Sequence, residues 1–218
     1  MSRGDRWTRD QLLIALRLYT NTPFGQLHNT NSEIIRLAGL IGRTPSALCM
    51  KAWNFVSLDP NQKQRGIKGL RGASDADRQL WAEFMENSEA VAAAAEEVYD
   101  RLASQPEQAG GKELAIPEGP TEVLQTIRAR RVHRFFAAAV YTAYEGKCAL
   151  TGIDARELLN ASHIIPWSAD EKRRANPSNG ILLNRRHRSA SRHRRLLSLK
   201  PQMSIYARRR RGSMREVF

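Results

Sequence analysis

The stretch CALTGIDARELLNASHIIPWSADEKRRANPSNGILLNRRH, from Cys148 to His187, combines two short apolar segments with three polar side chains. His163 lies in the first apolar segment. Sixteen positions separate it from Asn179, which precedes the second segment at Gly180, and eight more lead to His187. Two apolar, β-branched runs separated by a polar loop predict a strand, a loop, a second strand and then a helix. We therefore expect a short hairpin leaning on a helix, with one polar side chain from each element pointing into a common cleft.

This order and spacing resemble the HNH nuclease motif, whose fold is the ββα-metal finger. Further phrases similar to those of bacterial HNH restriction endonucleases are Phe135-Phe136, Ala143-Tyr144, Cys148 to Gly152, Ala161 to Trp167 and Asn176 to Leu183. The resemblance is specific from about Arg130 to Asn184. It implies a metal-dependent DNA endonuclease that hydrolyses phosphodiester bonds, as in restriction and defence.

The resemblance also assigns roles to single residues. His163 would be the general base, and Asn179 would hydrogen-bond across the loop and hold the tautomer of that imidazole. His187, Ser162 and His193, the last as a substitute ligand, would bind a divalent cation, Mg²⁺ or Mn²⁺. Imidazole suits a base because it titrates near neutral pH, and Mg²⁺ needs few protein ligands. Judged from the residues alone, a histidine in an apolar run is also typical of a structural residue, and Asn-Gly of a short turn.

The sequence departs from the family pattern after His187. Relatives continue with a stretch resembling H-D-x-A-F-D-x-G, which supplies carboxylates near the metal. The corresponding positions here are Arg188, Ser191, Arg192 and Arg194. Arginine cannot coordinate a cation and repels one nearby. Two interpretations stay open: the tail clamps DNA by its charge, or the C-terminus is degraded. The second corresponds to an alternative function, a DNA-binding protein with a catalytically impaired HNH fold.

The formal net charge of +13 indicates a polyanionic partner. Residues 185–218 hold eleven arginines and one lysine against one acid, so +11 of that charge lies at the C-terminal end. DNA is the expected partner. RNA ranks lower because the chain lacks the aromatic stacking motifs of RNA-binding modules.

Two distant cysteines, Cys49 and Cys148, argue against a disulfide framework and against a four-cysteine zinc site. No apolar run approaches the length of a membrane span, and the N-terminus lacks a signal-peptide core. We expect a cytoplasmic protein without a membrane partner. A homodimer stays open, because cutting both DNA strands with one site per chain needs two chains.

The whole chain is predicted to be a mostly helical α+β protein of two modules. Residues 1–103 form an all-α module with helix-turn-helix-like helices, whose predicted caps are Thr8, Asn31 or Ser32, Thr44 and Ser74. Residues 104–120 combine Pro, Gly and polar residues and are expected to be a linker. Residues 121–200 form the HNH, or ββα-metal, module, which opens with a long helix. Residues 201–218 form a basic tail.

Candidate DNA contacts come from both modules. Residues 32–57 have helix-turn-helix proportions, and they are either a recognition unit that presents Arg43 and Lys51 to DNA or an ordinary three-helix packing unit. The long helix carries arginines that form either a DNA-facing ridge or a solvated face, at Arg128, Arg130, Arg131 and Arg134. His133, on the same side, is expected at the surface. The remaining predicted DNA contacts are Arg173, Arg174, Arg185 and Arg186.

Overall fold

Seven α-helices and one small antiparallel sheet make up the residues that the structure, a computed structural model, describes: 6–67, 69–104 and 121–185. The helices are α1 (Arg9–Asn21), α2 (Ser32–Leu40), α3 (Pro45–Leu58), α4 (Pro60–Gln64), α5 (Asp75–Glu86), α6 (Ser88–Ala103) and α7 (Thr121–Ala143). The strands are β1 (Leu159–His163) and β2 (Gly180–Asn184). This is the mostly helical α+β class expected. Among the described helices, none has the length and apolarity needed to span a membrane.

Local sequence signals start the N-terminal helices where they were predicted. Thr8 accepts a hydrogen bond from the Gln11 amide in a capping box, and Ser74 caps α5 in the same way. Asn31 caps α2, and Thr44 caps α3 ahead of a proline at the first helical position. Each cap satisfies amides that have no partner within the helix. The predicted linker, residues 104–120, lies outside the described residues apart from Ser104.

Helix α3 packs one side into the core, which bears on the recognition-helix hypothesis. Seven of its residues are buried, among them Lys51, whose ammonium contacts the Asp77 carboxylate at 3.1 Å. Arg43 is half-buried, and its guanidinium donates to Gln11 and to the Arg6 carbonyl. A recognition helix must expose the side chains that reach the bases. The burial of Lys51 and its ion pair favour the three-helix packing unit, and the DNA contacts of Arg43 and Lys51 stay predictions.

Helix α7 packs against both parts of the molecule. One set of its side chains joins the large apolar cluster of the N-terminal helices: Val132, Phe135 and Ala139. Another set, Phe136 and Val140, packs against β2 together with Tyr144, which directly follows the helix. Because these sets lie on adjacent sides of one helix, the hairpin and the N-terminal helices are built on the same support.

Most arginines of α7 form ion pairs with acidic residues of α6. The pairs are Arg128–Glu89 (3.3 Å), Arg131–Asp100 (3.1 Å), Arg134–Glu96 and Arg134–Asp100. Arg128 and Arg134 are nevertheless 55% and 48% exposed, whereas Arg131 is 26% exposed, so this side of α7 is partly solvated as well as paired. The pairs join two helices. Arg130 is exposed and has no ion pair with a described residue.

The hairpin approaches α7 most closely at Gly180. A Cβ atom at this position would lie 2.1 Å from Val140 Cγ2 and 3.0 Å from Phe136 Cζ. The Asn179-Gly180 pair is thus not a hairpin turn: it marks the start of β2, at a place where only glycine fits against the helix.

We expect Gly180→Ala to lower the free energy of unfolding by about 1–3 kcal/mol, because the new methyl group forces β2 away from α7. Gly39→Ala in α2 is the control, since a Cβ there has nothing within 4 Å. Chemical denaturation followed by circular dichroism measures both. Equal stability of the two variants would contradict the close approach.

Candidate active site

The hairpin register places His163 at the end of β1, opposite Gly180. The loop 164–179 then connects the two strands and returns to Asn179. Leu159, Ala161 and His163 share the strand face that packs toward α7, because side chains alternate along a strand. The first predicted site residue therefore lies between the helix and the loop.

The imidazole of His163 is fixed on one face and at one nitrogen. Its ring stacks on Phe136 with 3.7 Å between centroids and 8° between planes. Its Nε2 lies 2.8 Å from the carbonyl oxygen of Arg174. A carbonyl only accepts, so Nε2 carries the hydrogen, and the neutral ring keeps its lone pair on Nδ1. No described residue donates a hydrogen bond to Nδ1.

Burial lowers the pKa of His163 below its ordinary value. The hydrogen bond to the Arg174 carbonyl opposes this effect, whereas the nearby His133 and the Arg174 charge add to it. The net result favours the neutral ring, which is the form that can accept a proton from water.

Asn179 closes the loop but does not contact the imidazole. Its Oδ1 accepts the Ile165 amide at 2.7 Å, and its Nδ2 donates to the Ile165 carbonyl at 3.3 Å and the Arg173 carbonyl at 3.4 Å. Its backbone oxygen accepts the Ile164 amide at 2.8 Å. The cross-loop bond was expected. The tautomer of His163, however, is held by the Arg174 carbonyl, and Asn179 acts on it only by holding the loop.

Two aromatic neighbours of His163 were not recognised in the sequence. His133 stacks on Trp167 at 4.1 Å and 3°, and its ring centroid lies 6.1 Å from that of His163. His133 is exposed, as expected, yet it borders the candidate site. Its position three residues before Phe136 could have indicated this, because residues three apart share a helix face.

The described residues do not by themselves complete a metal centre. Ser162 points to the face opposite His163, where its hydroxyl lies 3.3 Å from Asn160 Nδ2. One hydroxyl is a poor ligand set for Mg²⁺, and no group of three or more His, Cys, Asp or Glu side chains that could hold a metal occurs among these residues. His187 and His193 lie outside the described residues.

Two of the predicted DNA contacts are used within the fold. Arg131 pairs with Asp100. Arg174 pairs with Glu89 at 3.0 Å and Glu171 at 3.1 Å, and its side chain is only 16% exposed. The guanidinium of Arg174 supports the loop, and its contact with DNA stays a prediction.

Other predicted DNA contacts remain at the surface. Arg130 and Arg185 are exposed. Arg173 is 59% exposed and pairs with Asp170 at 3.3 Å. Such a solvated pair has little stabilising effect, so Arg173 can exchange its carboxylate for a phosphate. Arg186 lies outside the described residues.

Cys148 is buried at the base of the hairpin. Burial raises the pKa of its thiol, but hydrogen bonds from the Thr151 hydroxyl and from the amides of Leu150, Thr151 and Asn184 outweigh burial and lower it to about 6. The sulfur accepts the Asn184 amide at 3.3 Å and so ties the 148–152 turn to the end of β2.

Residues 148–196 match the family model described as HNH endonuclease. This segment is therefore similar to a family of nucleases. The match contains His163, Asn179, His187 and His193. The resemblance described above extends from about Arg130 to Asn184. The family match begins later, at residue 148, and ends later, at residue 196. The curated proteins and the solved structures contain no match to the chain.

We expect the His163 imidazole to titrate below its ordinary pKa of 6.5. As the pH falls, the unfolded chain takes up this proton first, so the free energy of unfolding decreases below about pH 6.5. NMR titration measures the pKa, and denaturation at about pH 7.5 and about pH 5.5 measures the stability. His163→Gln should lose part of this pH dependence. A His163 pKa above 6.5 would contradict the environment described.

Proposed function

We propose that this protein is a metal-dependent DNA endonuclease in which His163 is the general base. The observation that supports the proposal is the state of the His163 ring. Its Nε2 hydrogen is bonded to the Arg174 carbonyl, and the lone pair of Nδ1 is left without a described partner. This ring lies within the segment that matches the nuclease family.

In the proposed reaction, Nδ1 of His163 takes a proton from the water that attacks the phosphodiester. The Arg174 carbonyl becomes a stronger partner as the ring gains charge, so it stabilises the imidazolium that forms. Phe136 blocks one face of the ring and keeps its plane constant during proton transfer. Asn179 contributes by fixing the loop that carries the carbonyl.

We include a divalent cation, Mg²⁺ or Mn²⁺, in the proposal because the family implies one. Its ligands would be His187, Ser162 and His193. Of these, only Ser162 lies among the described residues, and alone it does not form a site. The cation requirement is therefore a question for the assay.

DNA is the proposed substrate, with Arg130, Arg173 and Arg185 as phosphate contacts supported by their exposure. The charge of residues 185–218 adds a sequence-independent attraction. A cytoplasmic restriction or defence role follows from the resemblance to bacterial restriction endonucleases. Cleavage of both strands would require a homodimer.

A second candidate is a DNA-binding protein with an impaired HNH site. The observation that favours it is the set of arginines, Arg188, Arg192 and Arg194, in the stretch where relatives carry carboxylates. Both candidates bind DNA, and only the first cuts it.

We expect plasmid nicking that requires Mg²⁺ or Mn²⁺ and stops with EDTA. His163→Ala should reduce the rate by roughly 10²–10⁴-fold, the usual contribution of a general base. The control is His28→Ala, an exposed histidine of the first loop bonded to Thr30. Modified and unmodified DNA are both needed. DNA binding without cleavage under every condition would favour the second candidate.

Arg130 and Arg131 are adjacent on α7 but differ in pairing, which allows a matched test of DNA contact. We expect Arg130→Gln to reduce the slope of log affinity against log salt by about one unit, the effect of one lost phosphate contact. Arg131→Gln should leave the slope unchanged, because Arg131 is already paired: its Nε donates to Asp100 at 3.1 Å and its Nη1 lies 3.6 Å from Glu97. Fluorescence anisotropy at several salt concentrations measures both, and a reversed order would refute the assignment.

A further inference from the structure

The loop 164–179, which contains the Arg174 carbonyl bonded to His163, packs on the N-terminus of α6. The Lys172 carbonyl accepts the Ser88 amide at 2.8 Å, the Ser88 hydroxyl at 2.8 Å and the Glu89 amide at 3.4 Å. These amides belong to the first turn of a helix and have no partner within it. Ser88 is 1% exposed, so this contact is sealed from water.

Arg174 extends the docking to a side chain of the same helix turn. Its Nη1 donates to Glu89 Oε2 at 3.0 Å, its Nη2 to Glu171 Oε1 at 3.1 Å and its Nε to the Trp167 carbonyl at 2.8 Å. The two carboxylates differ in environment: the Glu89 side chain is 14% exposed, whereas that of Glu171 is 76% exposed. Solvent screens the Glu171 pair, so Glu89 is the stronger anchor of the guanidinium.

The backbone of Arg174 connects this anchor to the candidate site. Glu89 binds the side chain of Arg174, and the backbone carbonyl of Arg174 accepts the hydrogen bond from His163 Nε2 at 2.8 Å. A shift of Arg174 would therefore weaken the one hydrogen bond that selects the His163 tautomer. Glu89 also accepts from Arg128 of α7 at 3.3 Å, so the anchor is itself held between two helices.

We propose that Glu89 is a positioning residue for His163, so that the N-terminal helical part completes the nuclease site. Glu89 lies outside the matched segment, and its effect passes through Arg174. The catalytic consequence rests on the proposed function. The structural consequence, a fixed Nε2–H tautomer, is independent of the proposed function. An experiment that measures the tautomer can therefore test the role of Glu89 separately from nuclease activity.

The test compares Glu89→Ala and Glu89→Gln with Glu96→Gln in the full-length protein. Glu96 is a matched control: it lies on the same helix, is fully buried and also bonds two arginines, Arg17 and Arg134. Its substitution disturbs stability without touching the loop. Three quantities are measured: the His163 tautomer by ¹⁵N NMR, with the signal assigned through His163→Gln; kcat and KM for nicking; and the melting temperature.

We expect Glu89→Ala to mix the two neutral tautomers of His163 and to lower kcat roughly 10–100-fold at nearly constant KM, as for other residues that orient a reacting group. Glu89→Gln keeps an oxygen for Arg174 and should restore most of the tautomer and the rate. If Glu89→Ala does not fold, a partial loss in Glu89→Gln that exceeds that in Glu96→Gln still supports the proposal.

Two results would overturn the proposal that Glu89 positions His163. One is an unchanged tautomer in folded Glu89→Ala. The other is an equal change in Glu96→Gln, which would reduce the effect to general loss of stability. If the wild type has no nuclease activity, the proposed function fails, and the tautomer measurement still decides the role of Glu89.

Discussion

The contact between β2 and α7 at Gly180 determines where the candidate site forms. Because no side chain separates Gly180 from Val140 and Phe136, the hairpin lies directly on the helix. His163, opposite Gly180 in the ladder, is thereby brought against the Phe136 ring. The same helix packs into the N-terminal core through its other apolar side. The position of one imidazole thus depends on the packing of both parts of the molecule.

Features with local causes could be predicted from the sequence. The caps at Thr8, Thr44 and Ser74 depend on residues within one helical turn, and the structure has each of them. The apolar pattern also predicted two strands, with Asn179 just before the second; the first strand, however, ends at His163 instead of continuing through the apolar run after it. The similarity of this segment to HNH nucleases was also predicted from these residues, and the family model matches it.

Features that depend on distant partners could not be predicted in this way. The arginines of α7 looked available for DNA because the acids that pair with them lie on α6, about thirty to forty positions earlier. Lys51 looked like a surface residue of a recognition helix until Asp77 was placed beside it. The same limit applies to Glu89, since its partner Arg174 lies 85 positions away. Charge alone does not distinguish a DNA contact from an ion pair.

Under the proposed function, these ion pairs bear on how DNA attraction and chemistry are combined. The first 184 residues carry only about +2 of the +13 net charge, and several of their arginines are neutralised between α6 and α7. A strongly basic surface around His163 would disfavour its protonated form and so weaken it as a base, because like charges lower a histidine pKa. Carrying +11 in residues 185–218 gives long-range attraction to a polyanion without adding those charges to the first 184 residues. Within the first 184 residues, the paired arginines leave little net positive charge to oppose protonation of His163, as the proposed general base requires.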